Sequence, residues 1–170
     1  MMDGAEGAFM QDFTPGPDTS RAFRDALGKF ATGVTVITAP GPCGITANSF
    51  ASVSLEPALV LWSLDKASTR FDVYHDCPHY AIHVMAAEQS DIAMGFAKTR
   101  NAFEGLDWHP SAHDVPLIEN CLARFECTLE ATHDAGDHLI QVGRVIRAQL
   151  REGKPLVFAG GQFGHFNEGP

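Results

Sequence analysis

The amino-acid sequence predicts a mainly β protein, an antiparallel barrel or sandwich with peripheral helices. At least six segments have the short, β-branched or alternating pattern that is typical of strands. Turns join most of these segments, and the helical segments are too few for the regular strand–helix alternation of a parallel α/β fold. A chain of 170 residues is long enough for one self-sufficient core. We therefore expect one domain over residues 20–166.

The two ends of the chain are predicted to lie outside this domain. Residues 1–19 carry glycine, proline and acidic residues without an apolar period, which predicts a flexible arm. Residues 167–170 are assigned to a short tail. The domain begins with a helix at Ser20, in which apolar residues recur at helical spacing as far as Ala31, and Gly33 is the expected stop.

Three strands are expected between Val34 and Leu64. The β-branched segment VTVITA ends at the turn PGPCG, and the stretch that begins at Gly44 then returns beside it as the second arm of a hairpin. Pro57 closes that arm. The third strand runs from Ala58 to Leu64.

The middle of the chain combines short helices with one strand. Ser68 to Tyr74 predicts a short helix that Pro78 prevents from continuing. The segment HYAIHVM follows as a strand, and Ser90 caps a second helix, DIAMGFAK. Residues 99–118 are rich in proline, histidine and aspartate and are expected to be irregular.

The last third of the chain is expected to complete the sheet. From Leu122 to Thr132 apolar and polar residues alternate, which places Arg124 on a solvent-facing side. After the turn at Gly136-Asp137, the segment HLIQVGRVIRAQL predicts a strand in which Gly143 marks a bulge. The segments PLVFAGG and QFGHF supply the last strands.

Charge and cysteine content restrict the partners and the compartment. A formal net charge of −9, with 12 scattered Lys and Arg residues, argues against a nucleic-acid partner. No apolar run approaches the ~20 residues that span a bilayer, so we expect no membrane association. The four cysteines form no CxxC pair and no signal peptide is recognisable, which predicts reduced thiols in a cytoplasmic protein.

Three histidines at four-residue spacing, His75, His79 and His83, raise the question of a metal site. Pro78 breaks the helix that would align them, and on a strand His79 and His83 would lie ~13 Å apart. We therefore predict surface or packing histidines and no metal. No G-x-S-x-G motif singles out a nucleophilic hydroxyl, so hydrolysis is disfavoured as well.

The stretch from Gly44 to Leu61, GITANSFASVSLEPALVL, holds more hydrogen-bonding side chains than a buried strand can leave unpaired. Either the sheet absorbs them through cross-strand and backbone hydrogen bonds, or they face a polar aromatic ligand that carries phosphate. No G-x-G-x-x-G or P-loop motif is present, so a nucleotide cofactor would bind without those folds. The polar residues concerned are Thr46, Asn48, Ser49, Ser52 and Ser54.

Six motifs that occur in a fixed order carry a family resemblance. They are FRDALGKFATGVTVITA, GITANSFASVSLEPALVLWSL, the Ser68-Thr69 pair, YAIHVM, FAK and GDHLIQVGRV. In this combination residues 20–166 resemble the flavin reductase family, the small FMN-dependent components of two-component monooxygenases. The resemblance implies an antiparallel Greek-key FMN-binding split barrel that forms a homodimer, with the flavin near the subunit interface.

The resemblance also implies a reaction. Reductases of this family use NADH or NADPH to reduce FMN, with FAD as an alternative flavin, by hydride transfer from nicotinamide C4 to flavin N5. The reduced flavin is then supplied to a partner oxygenase. Two other functions stay open at this point. One is a non-catalytic FMN-binding or flavin-carrier protein, and the other is an oxidase similar to pyridoxamine phosphate oxidase, which needs more phosphate-binding cations than this chain shows.

Site residues follow from the matching motifs. The residues expected to line the isoalloxazine ring are Thr46, Ala47, Asn48 and Ser49. The expected ribityl and phosphate contacts are Ser63, Leu64 and Ser68. His138 is expected to orient the nicotinamide and need not donate a proton, because the two cofactors carry the hydride chemistry themselves.

One departure from the family pattern concerns the phosphate. Relatives often have D-K-F where this chain has Asn101-Ala102-Phe103, so the lysine near the phosphate is missing. Arg100 or Lys98 is expected to replace it. A weaker phosphate contact would favour flavin as an exchanging substrate over a tightly held group.

Overall fold

The computed structural model describes residues 9–167 and 169, which form three α-helices and twelve strands, all paired antiparallel. No helix in this part of the chain is long and apolar enough to cross a membrane. The helices are α1 Ser20–Leu27, α2 Phe71–Tyr74 and α3 Ser90–Lys98. The strands are β1 Thr32–Gly33, β2 Thr35–Ala39, β3 Cys43–Ala47, β4 Ala51–Leu55, β5 Ala58–Asp65, β6 His79–Val84, β7 Trp108–Pro110, β8 Pro116–Ile118, β9 Ala123–Ala135, β10 His138–Leu150, β11 Leu156–Ala159 and β12 Gln162–His165.

The main sheet has seven strands in the order β3-β2-β6-β9-β10-β5-β4. Its two edge strands, β3 and β4, are separated in sequence only by residues 48–50. The four peptide units from Ala47 to Ala51 reach at most ~15 Å, whereas seven strands laid flat would hold the edges ~29 Å apart. The sheet therefore curls into a barrel with an open seam, which residues 46–49 line. The predicted mainly β, antiparallel architecture is confirmed.

Both faces of β2 are buried, which explains its continuous β-branched composition. Ile37 belongs to one core cluster together with Trp62 of β5 and Ile82 of β6. Val36 belongs to a second cluster, which includes Phe96 of α3 and Leu156 of β11. The barrel is thus covered on one side by α3 and by the small sheet β1-β11-β12.

The first helix is shorter than predicted, because it ends at Leu27 and not at Gly33. The Gly28 carbonyl accepts a hydrogen bond of 2.8 Å from Gly160 N, so the chain leaves the helix axis toward the β11–β12 turn. No residue of α1 is buried. Of the predicted arm, residues 1–8 lie outside the described residues.

Three other predicted elements differ from the structure. The stretch from Gly44 to Leu61 is divided, because the chain leaves the β3 edge after Ala47 and joins the opposite edge as β4. The helix expected from Ser68 begins only at Phe71, after a tight turn. Residues 99–118 are not wholly irregular, because they contain the two-stranded ribbon β7-β8.

Arg124 was predicted on a solvent-facing side, and this prediction is wrong. Only 4% of the residue is exposed. Its guanidinium donates to the Ile118 carbonyl and to the Glu119 carboxylate, each at 3.2 Å, and also to the Gln149 side chain. The segment that precedes β9 folds over this face of the strand and replaces water as the hydrogen-bond partner.

The longest predicted strand is confirmed at both ends. β10 runs from His138 to Leu150, and its register against β9 shifts between Val142 and Gly143, which confirms the bulge. A Cβ atom at position 143 would collide with the Tyr80 hydroxyl. Glycine is therefore required there by the close approach of Tyr80.

The three histidines at four-residue spacing make separate contacts. His83 is fully buried, with Nδ1 2.9 Å from the Val36 carbonyl, while its Nε2 accepts from Ile118 N at 3.0 Å. The His79 ring stacks on His113 with 3.7 Å between centroids. These contacts agree with packing and surface roles, and they fix the neutral form of His83.

The four cysteines are buried free thiols. Burial raises the pKa of Cys127 to about 12, and it raises the pKa of each of the others as well. Thiols with raised pKa values are poor nucleophiles near neutral pH. The cysteines therefore serve as core residues.

We expect His83 to make the fold less stable as the pH falls. Burial lowers the pKa of His83 to about 3, from an ordinary value of 6.5. Between these values the unfolded chain binds a proton that the folded chain does not, so stability is complete above the ordinary pKa and declines toward the lower one. Near pH 4.5 the loss should reach about 2–3 kcal/mol, measurable as a lower urea midpoint.

The matched variants are His83→Gln and His133→Gln, since His133 is an exposed histidine on β9. The first should show a weaker decline than the wild type between about pH 7 and 4.5, whatever its stability at neutral pH. The second should keep the wild-type decline. Equal slopes for wild type and His83→Gln would contradict the assignment.

Candidate functional site

A surface cleft of about 500 Å³ lies along the seam of the barrel. Four parts of the chain build it: residues 45–49 at the end of β3 and directly after it, here called the seam segment, the end of β5 with its following turn, the C-terminal end of α3 and the start of β10. Its volume is in the usual range of cofactor sites. The lining residues are Ile45, Thr46, Ala47, Asn48, Ser49, Ser63, Asp65, Ser68, Thr69, Arg70, Ala97, Lys98 and His138.

Two hydroxyls tie the seam segment to the elements on either side of it. Thr46 Oγ1 donates to the Ala93 carbonyl of α3 at 2.6 Å. Ser49 Oγ accepts from the Ser63 amide of β5 at 2.9 Å. Backbone groups therefore satisfy these two hydroxyls, which agrees with the first interpretation of this stretch, hydrogen bonding within the protein. The same residues also line the cleft, as the other interpretation requires.

The remaining polar residues of the stretch separate. Asn48 is exposed and lines the cleft. Ser52 and Ser54 lie on the edge strand β4 and do not line it. Of this polar stretch, only the residues before β4 line the cleft, and the serines of β4 belong to the edge of the sheet.

One part of the cleft is suited to an anion. Arg70 Nε is buried and has no hydrogen-bond partner among the described residues. An unpaired buried donor is costly, and an anionic oxygen would satisfy it. Ser68 Oγ accepts from the Arg70 amide at 3.2 Å, which leaves the hydroxyl hydrogen for a ligand. Lys98 adds a second cation.

His138 lines the cleft as the first residue of β10. Its Nδ1 lies 2.7 Å from Asp137 Oδ1, and this hydrogen bond holds the pKa of the Asp137 carboxyl below its usual value. With Nδ1 engaged by the carboxylate, Nε2 is the ring nitrogen left for a ligand. The His138 side chain is 41% exposed, so a ligand can reach it.

An apolar groove of about 250 Å³ adjoins the polar cleft. The two share Thr46, Ala47, Asn48 and Ala97. The residues that only the groove contains are apolar: Val34, Met94, Phe158 and Phe163. A polar, cationic cleft that continues into an apolar groove suits a ligand with a flat aromatic part and a phosphorylated chain.

A second depression of about 460 Å³ lies beside β10 and the segment before β9. Its arginines are already paired: Arg124 with Glu119, and Arg151 with Glu88. A phosphorylated ligand there would have to displace a carboxylate from one of these arginines. Arg124 Nε is also buried without a partner, but in the seam cleft neither Arg70 nor Lys98 has a carboxylate partner among the described residues. The seam cleft is therefore the better candidate for a cofactor.

Two predicted cofactor contacts do not reach the cleft. The side chain of Leu64 is fully buried in the barrel core, because side chains alternate along β5 and its neighbour Ser63 takes the cleft side. Arg100 is exposed in the turn after α3, and its carbonyl accepts from Gly44 N at 2.8 Å. The Arg100 backbone therefore holds the start of β3. Of the two cations predicted near the phosphate, Lys98 is the one that lines the cleft.

The structure adds residues that sequence reasoning did not select, chiefly Asp65 and Arg70. Arg70 directly follows the Ser68-Thr69 pair, so a turn rich in donors was the available signal. Gly44 matters for a different reason, because a Cβ atom there would collide with the Phe96 ring. This close approach lets α3 lie against β3 and bring Ala97 and Lys98 to the cleft.

The fold and the cleft define a split β-barrel that can hold an anionic, partly aromatic cofactor on its outer surface. Residues 27–167 match the family described as flavin reductase like domain. The chain belongs to this family, and the predicted resemblance is confirmed.

Individual relatives agree with this assignment. The chain is 53% identical to the FMN reductase (NADH) SmoA of Agrobacterium fabrum, with 91% of each protein covered. It is 38% identical to HsaB of Rhodococcus jostii, the reductase subunit of a flavin-dependent monooxygenase, over 84% of this chain and 76% of that protein.

A solved structure supports the same family. The NADH:FAD oxidoreductase SgcE6 of Streptomyces globisporus C-1027, solved in complex with NAD and FAD fragments, is 35% identical to the chain. The TM-score is 0.85, over 92% of this chain and 98% of that one.

Proposed function

We propose that this protein is an NADH-dependent FMN reductase that uses the seam cleft to bind flavin. The observation that carries the proposal is the buried, unpartnered Arg70 Nε in a cleft that continues into an apolar groove. The relatives named as NADH-dependent FMN or flavin reductases support the reaction class.

The phosphate end of the flavin is assigned to the turn after β5. Ser68, Thr69 and Arg70 lie together there, with Lys98 across the cleft on α3. Charge-assisted hydrogen bonds from a guanidinium to phosphate are among the strong ones in proteins. The two cations compensate the missing lysine of the D-K-F pattern, so FMN can bind to an acidic protein through local charge alone.

The isoalloxazine ring is assigned to the seam segment and the apolar groove. Thr46, Ala47 and Asn48 line both the cleft and the groove, so a ring placed there would contact each of them. Thr46 and Ser49 are fixed by their bonds to α3 and β5. These two hydrogen bonds restrain the segment on both sides of Asn48 before a ring binds.

The bound flavin supplies the hydride acceptor, N5, for the nicotinamide C4 hydride. The residues of the chain bind and orient the two partners. His138 lines the cleft and is partly exposed, and because its Nδ1 is hydrogen-bonded to Asp137, Nε2 is available to a nicotinamide that enters there. No acid or base is needed from the protein for the transfer itself, so His138 acts by orientation.

Purified protein with saturating FMN should oxidise NADH far faster than free NADH and FMN do. The measurement is the decrease in NADH absorbance, with protein-free mixtures as the control. Acceleration with neither NADH nor NADPH would refute the proposal. FMN binding by fluorescence quenching without turnover would favour the carrier function instead.

Arg70→Met should weaken FMN binding at least tenfold, because a charged hydrogen bond contributes about 1.5–3 kcal/mol. Riboflavin lacks the phosphate, so its dissociation constant should change less than about twofold. Fluorescence quenching measures both. The control variant is Arg21→Met, which removes an exposed arginine of α1. Equal losses for FMN and riboflavin would show that Arg70 does not bind the phosphate.

His138→Ala should raise the KM for NADH about fivefold or more while FMN affinity stays within about twofold, since orientation of the nicotinamide is lost. Steady-state kinetics and fluorescence quenching give the two numbers. His133→Ala, on the same hairpin, is the matched control. If His138→Ala weakens FMN binding as much as it raises KM, His138 contacts the flavin.

The relatives that are reductase components of monooxygenases support a further step, in which reduced flavin passes to an oxygenase. The open cleft suits this, because flavin can exchange with solvent. Protein that keeps one equivalent of FMN through gel filtration would contradict such transfer. A cytoplasmic location stays a prediction that the free cysteines support.

A homodimer is part of the proposal, supported by exposed apolar residues on α1 and just after it. Phe23, Leu27 and Phe30 are 42%, 58% and 79% exposed, and no residue of α1 is buried. Contiguous exposed apolar surface usually marks an interface. Sedimentation equilibrium tests the dimer, and a monomer at micromolar concentration would refute it.

A further inference from the structure

The turn that presents His138 is held from outside its own hairpin. Gly136 and Asp137 join β9 to β10, and Gly136 has a φ of 68°, as a tight two-residue hairpin requires at its first position. Asp137 is 91% exposed in its side chain, so packing does not fix the turn. The backbone of His138 is paired with Asp65 and Ala135 in the sheet, whereas the turn that precedes it needs a further restraint.

Lys66, the residue after β5, provides three such restraints. Its Nζ lies 2.7 Å from Asp134 Oδ2 and 2.6 Å from the Gly136 carbonyl. Its backbone amide donates to the Asp137 carbonyl at 3.0 Å. One residue therefore contacts Asp134 near the end of β9 and both residues of the turn, Gly136 and Asp137.

We propose that Lys66 is a positioning residue, which holds the Gly136-Asp137 turn so that His138 faces the seam cleft. The register supports this, because Asp65 pairs directly with His138 across β5 and β10. Lys66 itself does not line the cleft. The part of the proposal that concerns nicotinamide rests on the proposed function.

The side-chain contacts of Lys66 matter more for the position of the turn than for the free energy of unfolding. The Lys66 side chain is 33% exposed and that of Asp134 75%, and exposed ion pairs of this kind contribute little to the free energy of unfolding. A displacement of about 1 Å at a catalytic site, in contrast, can lower the rate about a hundredfold. Loss of the side-chain contacts should therefore affect the site before it affects the fold.

The test uses four variants of the full chain. Lys66→Met removes both side-chain bonds, Lys66→Arg retains the charge, and Asp134→Asn removes only the ion pair and leaves the Gly136 contact. The control is Arg144→Met, which removes another surface ion pair of β9, Arg144 of β10 with Glu130 at 2.8 Å, away from the turn.

Two readouts separate positioning from a general structural role. Lys66→Met should raise the KM for NADH about fivefold while the FMN dissociation constant changes less than about twofold. Lys66→Arg should have a KM for NADH close to that of the wild type. In ligand-free protein, the His138 imidazole signals in nitrogen-15 NMR spectra should shift in Lys66→Met and stay in place in Arg144→Met. In Asp134→Asn the His138 signals should shift less than in Lys66→Met and more than in Arg144→Met.

Unchanged His138 signals in Lys66→Met would overturn the proposal, as would a loss of FMN affinity as large as the rise in KM. An inactive wild-type protein would refute the proposed function, but the NMR readout would still decide whether Lys66 positions His138.

Discussion

Residues 48–50 have to carry the chain from one edge strand of the barrel to the other within about four peptide units. This short connection forces the seven-stranded sheet to curl, and it leaves β3 and β4 as two edges that face a common seam. Edge strands expose backbone groups that need partners. The seam is stabilised by the Thr46 bond to α3 and the Ser49 bond to β5, and the cleft lies where these restraints meet.

The same constraint explains how an acidic protein can accommodate a phosphorylated cofactor. The net charge is −9, yet the cleft collects Arg70 and Lys98 from two elements that the seam brings together. The turn after β5 supplies Arg70 and α3 supplies Lys98, and α3 can approach only because Gly44 leaves room for Phe96. On the other side of the cleft, Lys66 connects the end of β5 to the turn before His138. The proposed binding depends on local geometry and not on the overall field.

The parts of the fold that follow from local pattern could be predicted from the sequence. The ends of β10 and the bulge at Gly143 follow from alternation and from a glycine within it. His138 and the Thr46–Ser49 segment were found from motifs, and the structure places them in one cleft. What failed depends on distant packing. Arg124 is buried because another segment covers it, which no local pattern reports. Leu64 and Ser63 face opposite sides because β5 alternates, but only the packing of the curled sheet decides that the Leu64 side is the core.

The seam cleft, and not the depression beside Arg124, is the proposed flavin site, and backbone NMR of nitrogen-15 labelled protein titrated with FMN distinguishes the two. Flavin in the seam cleft should shift the amides of residues 45–49, 63–70, 97–98 and 138, with little change at 118–124 and 149–151. Shifts concentrated in the second set, with residues 45–49 unaffected, would contradict this assignment.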